Sequence, residues 1–327
     1  MTDLSIIIVN YRGWKHLKIC LDELAGFRET IFKYEIIVVD NNSDDGLLGD
    51  FKSGYPGFIF IESIVNGGFA HGCNLGAKNA NGEFLLFLNP DTVATETEVG
   101  RLLTRAKENP EYYITSCSQI NENGKESKAF GLFPRLGTLT GTGRALNKLY
   151  NKKSVAERTE PKHNIIKPDW VSGSVIMINR KIFEQIRGFD EDFWLYFEDT
   201  DLCRRVRNAA GEIAYFTDIK IQHNHGGTSR VNLNITSLTK SEVLISNHLY
   251  ISKHTKGITR LILHKLLILN NLIGGFPVAL AGLLFFSIPK MFVRTLIYGR
   301  LIGYYFEAII RNSWISPRSV NYLKKEK

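Results

Sequence analysis

The chain is poor in cysteine, methionine and proline, with four, three and nine among 327 residues. Cys20, Cys73, Cys117 and Cys203 lie far apart with no CxxC pair, which excludes a disulfide scaffold and a zinc knuckle. There is no repeat of fixed period and no long low-complexity tract, so solenoids and arrays are excluded. No basic segment or cleavage site precedes Leu4, so the N-terminus reads as the entry to a strand and not as a signal peptide; a cytoplasmic, reduced protein is expected. Acids are the minority charge, 33 against 41 Lys and Arg, and the net charge of +8 suits an anionic partner: nucleic acid, a phosphorylated small molecule or a membrane surface. A hydrophobic content of 44% and a charged content of 23% are those of a folded protein, long enough for one large domain or two.

What is present is a succession of apolar runs, each ending in polar residues. Residues 4–9, 34–39, 58–61 and 84–88 read as buried strands. The last of these stops at Asn89-Pro90-Asp91, because proline cannot continue a central strand, and Asp91 is delivered at the strand's carboxyl end. A helix with Leu17, Leu21 and Leu24 on one face separates the first two strands, which implies parallel pairing. In such sheets ligands bind outside the carboxyl ends of the strands. Loops starting at Tyr11, Asp40 and Asn89 meet there in the outline of a nucleotide pocket: a ring to stack on a base, a carboxylate to accept from its imide N–H, and an acid for a metal. Singly they read equally well as a rim aromatic, a turn former and a strand cap; jointly they favour the pocket. Residues 66–76 form a glycine-rich turn into a helix, which lets backbone approach a ligand and favours an anion.

Further on, a helix is expected over 97–109, closed by Pro110, and the basic stretch 125–168 (Arg135, Arg144, Lys148, Lys152, Lys153) reads as a mobile loop near an acceptor or membrane. A strand over 170–178 and a short helix over 181–186 follow. An aromatic run then leads into Glu198, Asp199 and Asp201 at the start of a helix with Leu202, Val206 and Ala209 on one side. Acids suit a helix N-terminus, but capping does not explain three of them behind an aromatic run. Residues 214–216 and 219–221 read as the last strands, ending in Gln222-His223-Asn224-His225-Gly226-Gly227. The tail, 261–310, is strongly apolar, and 272–288 has no charged residue. That window is short for a span and is interrupted by Gly274, Gly275 and Pro277; extending it upstream to Leu266 takes in Asn270 and Asn271. Flanking Arg260, Lys265, Lys290, Arg294 and Arg300 favour an interfacial or re-entrant anchor, with a true span, or packing in a homo-oligomer, as alternatives.

Several motifs together carry a resemblance: Ile7-Ile8-Val9-Asn10-Tyr11, Val38-Val39-Asp40-Asn41-Asn42-Ser43, the 66–74 loop, Leu88-Asn89-Pro90-Asp91, Trp170-Val171-Ser172-Gly173-Ser174, Gly188-Phe189-Asp190-Glu191-Asp192-Phe193 and Glu198-Asp199-Thr200-Asp201-Leu202. Over roughly residues 4–230 the chain resembles the family 2 glycosyltransferases of GT-A fold, and within them the bacterial rhamnosyltransferase-like group. The resemblance implies an α/β, Rossmann-like, mixed but mainly parallel sheet flanked by helices. The catalytic domain would cover 1–235, with a nucleotide-sugar half over about 1–95 and an acceptor half over 96–235; 236–327 would be a helical membrane-associating region.

The same resemblance assigns roles. Val9, Asn10, Tyr11, Asp40, Asn42, Asn66, Gly68, Phe69, Asn74, Asn89 and Asp91 would hold the donor nucleotide; Trp170, Gly173 and Trp194 would line the acceptor; Arg230 would reach the diphosphate. Asp199 would be the base and Glu198 would orient the acceptor, with an exchange of these roles left open, and Asp201 would brace the helix. A divalent metal, Mg²⁺ or Mn²⁺, would sit on Asp91 and His223, with His225 as fallback. Many relatives have an acid at both ends of the D-x-D motif; here the first position is Asn89. One carboxylate suits Mg²⁺, which keeps waters and uses substrate phosphates as ligands. The implied activity is inverting transfer from a nucleoside diphosphate sugar, dTDP-rhamnose first and a UDP-hexose as alternative, to a lipid-linked oligosaccharide or cell-surface polysaccharide. It would take place on the cytoplasmic face of a bacterial inner membrane, with no nucleic acid partner. A nucleotidyltransferase of the same fold is disfavoured, because residues 9–13 lack a Gly- and Arg-rich loop. A non-catalytic nucleotide-binding membrane scaffold is disfavoured by the intact Glu198-Asp199 pair and Asp91.

Overall fold

The β-branched runs at the start of the chain form β1 (Leu4–Asn10) and β2 (Tyr34–Asp40), joined through α1 (Trp14–Ala25) and paired in parallel with Asn10 opposite Asp40. The computed structural model describes residues 2–28, 32–134, 159–160, 164–224 and 232–324. Arg135, Arg144, Lys148, Lys152, Lys153, His225 and Arg230 lie outside the described residues. The described residues fall into two compact units: one contains 2–28, 32–133, 159–160, 164–190 and 198–224, the other 134, 191–197 and 232–324. The segment 191–197, which leads into the acids at 198–201, therefore groups with the C-terminal helices, a division that the boundary expected at 235 does not include.

In the N-terminal unit, α2 (Leu48–Gly54), β3 (Ile59–Glu62), α3 (Gly68–Lys78) and β4 (Phe84–Leu88) follow, then β5 (Thr92–Val93) and α4 (Glu96–Glu108), whose N-cap Thr95 accepts from the Glu98 N–H. β6 (Tyr112–Ile120), β7 (Glu126–Ser127), β8 (Phe130–Gly131), β9 (Thr159–Glu160), β10 (Ile165–Ile166), β11 (Trp170–Val171), β12 (Val175–Asn179), α5 (Arg180–Gln185), α6 (Glu198–Asn208) and β13 (Glu212–His223) complete it. The main sheet runs β3-β2-β1-β4-β12-β6-β13-β10-β9, with β5 on β13 and β7 on β6. The ladders β1–β2, β1–β4, β2–β3 and β6–β13 are parallel, and β12 runs antiparallel between β4 and β6. Helix α1 buries Leu17, Leu21 and Leu24 completely, as its spacing predicts.

Four sequence expectations change. Residues 170–178 are two strands separated by a turn at 172–174. Residues 214–216 and 219–221 belong to one strand, β13, whose pairing with β6 shifts register between Phe216 and Lys220. Strand β6 falls in a stretch with no clear strand pattern, and short strands occupy parts of the region read as a loop. The glycines of α3 serve packing: a Cβ at Gly72 would lie 2.5 Å from a Val9 methyl carbon, and one at Gly76 2.4 Å from Ile7, so the helix lies close on β1 only because these positions lack side chains.

The C-terminal unit contains α7 (Leu233–His254), α8 (Gly257–Leu272), α9 (Phe276–Leu284), α10 (Pro289–Ile310) and α11 (Val320–Lys324). The stretch Gly257–Leu284, mean hydropathy 1.8, is long and apolar enough to cross a membrane, but turns interrupt it between Leu272 and Phe276. At Gly282 a Cβ would lie 2.4 Å from the Met291 carbonyl oxygen, so α9 and α10 pack backbone to backbone.

Candidate active site

The carboxyl ends of β1, β2 and β4 bring the first loops together. Asp40 is buried and accepts from the Ser43 N–H (3.0 Å) and hydroxyl, while the Asn10 amide approaches at 3.4 Å. Ser43 in turn accepts from the Arg12 N–H at 2.9 Å, and its carbonyl accepts from Arg12 Nε at 2.8 Å. These bonds hold Arg12 and Asn42 at positive φ (52° and 60°), which non-glycine residues rarely adopt. Tyr11 remains exposed, with the Arg12 guanidinium over its ring.

Asn41 closes the loop cluster: its amide donates to Asn66 Oδ1 (3.1 Å) and the Gly68 carbonyl (3.0 Å) and accepts from the Gly67 N–H (3.3 Å). Gly68 sits at φ 84°, the one glycine of this loop that needs its conformational freedom. Asn74 points elsewhere. It donates to the Phe189 carbonyl and accepts from the Phe189 N–H, both at 2.9 Å, which ties α3 to the turn after α5.

Asp91 follows β4, buried, at the point where β5 pairs with the end of β13. There His223 Nε2 lies 3.1 Å from Asp91 Oδ1, and the Asn224 N–H donates to the Asp91 carbonyl at 2.9 Å. His223 Nδ1 lies 2.7 Å from Gln119 Oε1, an acceptor that the Ser174 hydroxyl also reaches at 2.9 Å. Gln119 Oε1 is an acceptor for an Nδ1 proton, and in the neutral imidazole that tautomer leaves a lone pair on Nε2 facing a carboxylate oxygen. Two acceptors so close suit a shared cation, and neighbouring ligands of an octahedral ion with bonds of about 2.1 Å are themselves about 3 Å apart. The pair fits a divalent metal. Among the described residues no group of three or more His, Cys, Asp or Glu gathers as a ligand set, so waters and substrate oxygens would complete the shell.

The second centre is the start of α6. Asp199 accepts from the Gly173 N–H (3.0 Å), the Thr200 N–H (2.6 Å) and the Thr200 hydroxyl (3.1 Å) and is partly accessible. Burial raises its carboxyl pKa above the ordinary value, against the opposing pull of these donors. Glu198 is buried, with Oε2 unpartnered among the described residues, and is pushed well above the carboxylate range by burial and by the charge of Asp199. Asp201 braces the helix through Arg205 Nε at 2.7 Å, as expected. Gly173 would bring a Cβ to 3.1 Å from Phe69 and 3.5 Å from Asp199 Cβ, so the space beside the acid depends on that glycine. The turn 172–174 links both centres: Gly173 holds Asp199, while Ser174 accepts from the Asn89 N–H and donates to Gln119.

Trp170 donates its indole N–H to the Leu132 carbonyl (2.9 Å) and covers Gly131. Trp194 belongs to the C-terminal unit, where it is buried with the Arg318 guanidinium over its ring. Sequence reasoning assigned no role to Gln119 and quoted Asn41 without one. Gln119 closes the run Thr115-Ser116-Cys117-Ser118-Gln119, which reads as polar in sequence and proves to be buried inside a strand.

A cluster of loops at the strand ends, a paired carboxylate and imidazole, and a separate carboxylate with a raised pKa are parts suited to group transfer. Comparison with known proteins makes this specific. The chain belongs to glycosyltransferase family 2, whose model matches residues 5–187; a second model, the N-terminal domain of galactosyltransferase, matches 160–226. It is 30% identical over 231 residues to the low-salt glycan biosynthesis hexosyltransferase Agl10 of Haloferax volcanii, covering 68% of each chain. It is 28% identical to the rhamnosyltransferase WbbL of Escherichia coli, over 64% of this chain and 79% of that one. Its fold is that of the mannosyltransferase PcManGT from Pyrobaculum calidifontis, solved with GDP-Man and Mn²⁺ (TM-score 0.52, 16% identity, 84% of this chain and 73% of that one). The same holds for GalNAc-T7, solved with UDP, GalNAc and Mn²⁺ (TM-score 0.53, 15% identity, 74% of this chain), of whose length the chain spans about half, 48%. The protein is a glycosyltransferase with rhamnosyltransferase-like relatives.

Proposed function

We propose that the protein is an inverting, metal-dependent glycosyltransferase that moves rhamnose from dTDP-rhamnose to a lipid-linked or cell-surface saccharide at the cytoplasmic face of a bacterial inner membrane. The observation that carries this reading is the turn 172–174, which holds Asp199 on one side and, through Ser174 and Gln119, the Asp91–His223 pair on the other. Tyr11 is exposed for stacking on the base, and Asp40 and Asn41 hold the loops around it. Asp199, with its raised pKa, takes the proton of an acceptor hydroxyl. The hydroxyl oxygen forms its bond to the anomeric carbon as the bond to the diphosphate oxygen breaks, so configuration inverts and nucleoside diphosphate leaves. Bound at Asp91 and His223, a divalent cation would supply charge neutralisation on that leaving group. The rhamnosyltransferase relatives support the choice of sugar, and the apolar stretch Gly257–Leu284 supports a membrane-bound acceptor.

The test is release of nucleoside diphosphate from a panel of dTDP-, UDP- and GDP-sugars by full-length protein, with Mg²⁺ or Mn²⁺ and with EDTA, alongside Asp91→Ala. Release from dTDP-rhamnose that EDTA and the substitution abolish is expected. Turnover of a UDP-hexose alone would replace the donor, and binding of no nucleotide sugar by calorimetry would sink the enzyme reading of this site.

A further inference from the structure

We infer that Gln119 is a positioning residue: by holding the proton on His223 Nδ1 it keeps Nε2 as a metal-ready lone pair. The inference rests on the metal reading of Asp91 and His223 and goes beyond it, because Gln119 touches neither metal nor substrate.

The geometry gives the amide one task. Gln119 is fully buried in β6, and its Oε1 is approached by His223 Nδ1 at 2.7 Å and the Ser174 hydroxyl at 2.9 Å. Among the described residues its Nε2 is buried without a hydrogen-bond partner. An unpaired buried N–H group is costly, and an apolar side chain of the same length would remove it. The residue is thus held there for its oxygen. A neutral imidazole has one N–H, and an acceptor at Nδ1 decides where it sits. Without that acceptor the proton would move to Nε2, where the Asp91 carboxylate, with Oδ1 3.1 Å away, is a charged acceptor ready to take it. The Nε2–H···Oδ1 hydrogen bond so formed would close the pair on itself, and a cation would have to break it.

Outer partners of this kind typically change metal affinity by about 10–100-fold. The same oxygen also receives Ser174, whose neighbour Gly173 holds Asp199, so one amide fixes the imidazole against the turn that carries the base.

The test uses full-length protein and Mn²⁺ alone, read by titration calorimetry and by the electron paramagnetic resonance of free Mn²⁺. Gln119→Met keeps the length and removes the acceptor; Gln119→Glu restores an acceptor. Asp91→Ala calibrates the site. Wild type should bind Mn²⁺ and Asp91→Ala should not, Gln119→Met should bind about 10–100-fold more weakly, and Gln119→Glu should stay within about threefold of wild type or bind more tightly. If wild type and Asp91→Ala bind alike, or neither binds, the metal reading falls and the inference with it. If Asp91→Ala loses the ion but Gln119→Met binds like wild type, only the inference falls. The inference falls too if both Gln119 variants lose the ion equally, because the position would then be merely structural. Should Gln119→Met fail to fold, long-range ¹H–¹⁵N correlation spectra of the metal-free wild type decide the matter: His223 should carry its proton on Nδ1, and a proton on Nε2 overturns the proposal.

Discussion

The two units are built with opposite polarity. In the N-terminal unit Ile6, Val38 and Leu86 are fully buried, and the polar groups at the strand ends are drawn into hydrogen bonds. In the C-terminal unit Glu242 and His248 are fully buried, whereas Ile273, Leu284, Phe286, Phe306 and Ile309 are each about 70% exposed. Glu242 accepts from Arg318 Nη1 and the Ser316 hydroxyl, both at 2.9 Å. His248 lies between His264 Nδ1 (2.9 Å) and the Tyr305 hydroxyl (3.0 Å), with Trp314 stacked on both imidazoles. The first unit is organised for water, with its chemistry at the ends of a dry sheet. The second covers polar clusters with helices whose outer faces are apolar, as suits a surface meeting lipid. Apolar content alone would not have separated them.

The largest effect should come from breaking the first unit's chemistry. Asp199→Asn keeps one oxygen for the Thr200 N–H, turns its NH2 towards the Gly173 N–H and cannot take a proton, so transfer should fall by about 10²–10⁴-fold. Donor affinity by calorimetry should stay near wild type; an active Asp199→Asn would shift the base to Glu198. Because burial raises the Asp199 pKa above the ordinary aspartate value of 3.8, the acid limb of kcat/KM in wild type should lie above that value too.

The next effect belongs to the other unit. Leu284, Phe285 and Phe286 are exposed at the end of α9. Replacing all three by serine removes roughly 1 kcal/mol or more of apolar burial for each on a lipid surface, so partition to anionic vesicles should weaken about 100-fold. Turnover of a water-soluble acceptor should be unchanged. Partition unaffected by the three changes would mean that this face meets protein instead.

How much of this was legible follows from the same contrast. β1, β2 and β4 were readable because strands buried on both faces leave continuous apolar runs. β6 was not, because Thr115, Ser116, Ser118 and Gln119 look like a loop until their partners are known; the Ser116 hydroxyl, for one, donates to the Val175 carbonyl at 2.7 Å, across the sheet. The break at 172–174 was hidden by the β-like residues on either side of it. Asp91 was singled out by the proline that stops its strand, whereas the roles of His223 and Asp199 came through the family resemblance. Gln119, which joins them, could not be singled out, since its importance lies in pairings 55 and 104 residues away. Asn74 carried the right motif, but its amide is bound to the Phe189 backbone.

The smallest effect distinguishes two neighbours. Asp199 has three hydrogen-bond donors, whereas Glu198, one residue earlier, has Oε2 buried and, among the described residues, unpartnered beside the charge of Asp199. The folded state therefore holds the Glu198 proton more tightly than the unfolded chain does, with a pKa well above the ordinary glutamate value of 4.5. A raised carboxyl contributes stability that is fully present below the unfolded pKa and is lost as pH rises through the folded one. Glutamine keeps the shape and cannot ionise. Glu198→Gln should match wild type in melting temperature near pH 4.5 and exceed it by a few degrees at pH 8, equivalent to about 1 kcal/mol. A gap that stays constant with pH would mean that the carboxyl does not titrate in this range. If Glu198 also orients the acceptor, the same variant should raise the acceptor KM more than it lowers kcat, whereas a loss confined to kcat would make Glu198 the base.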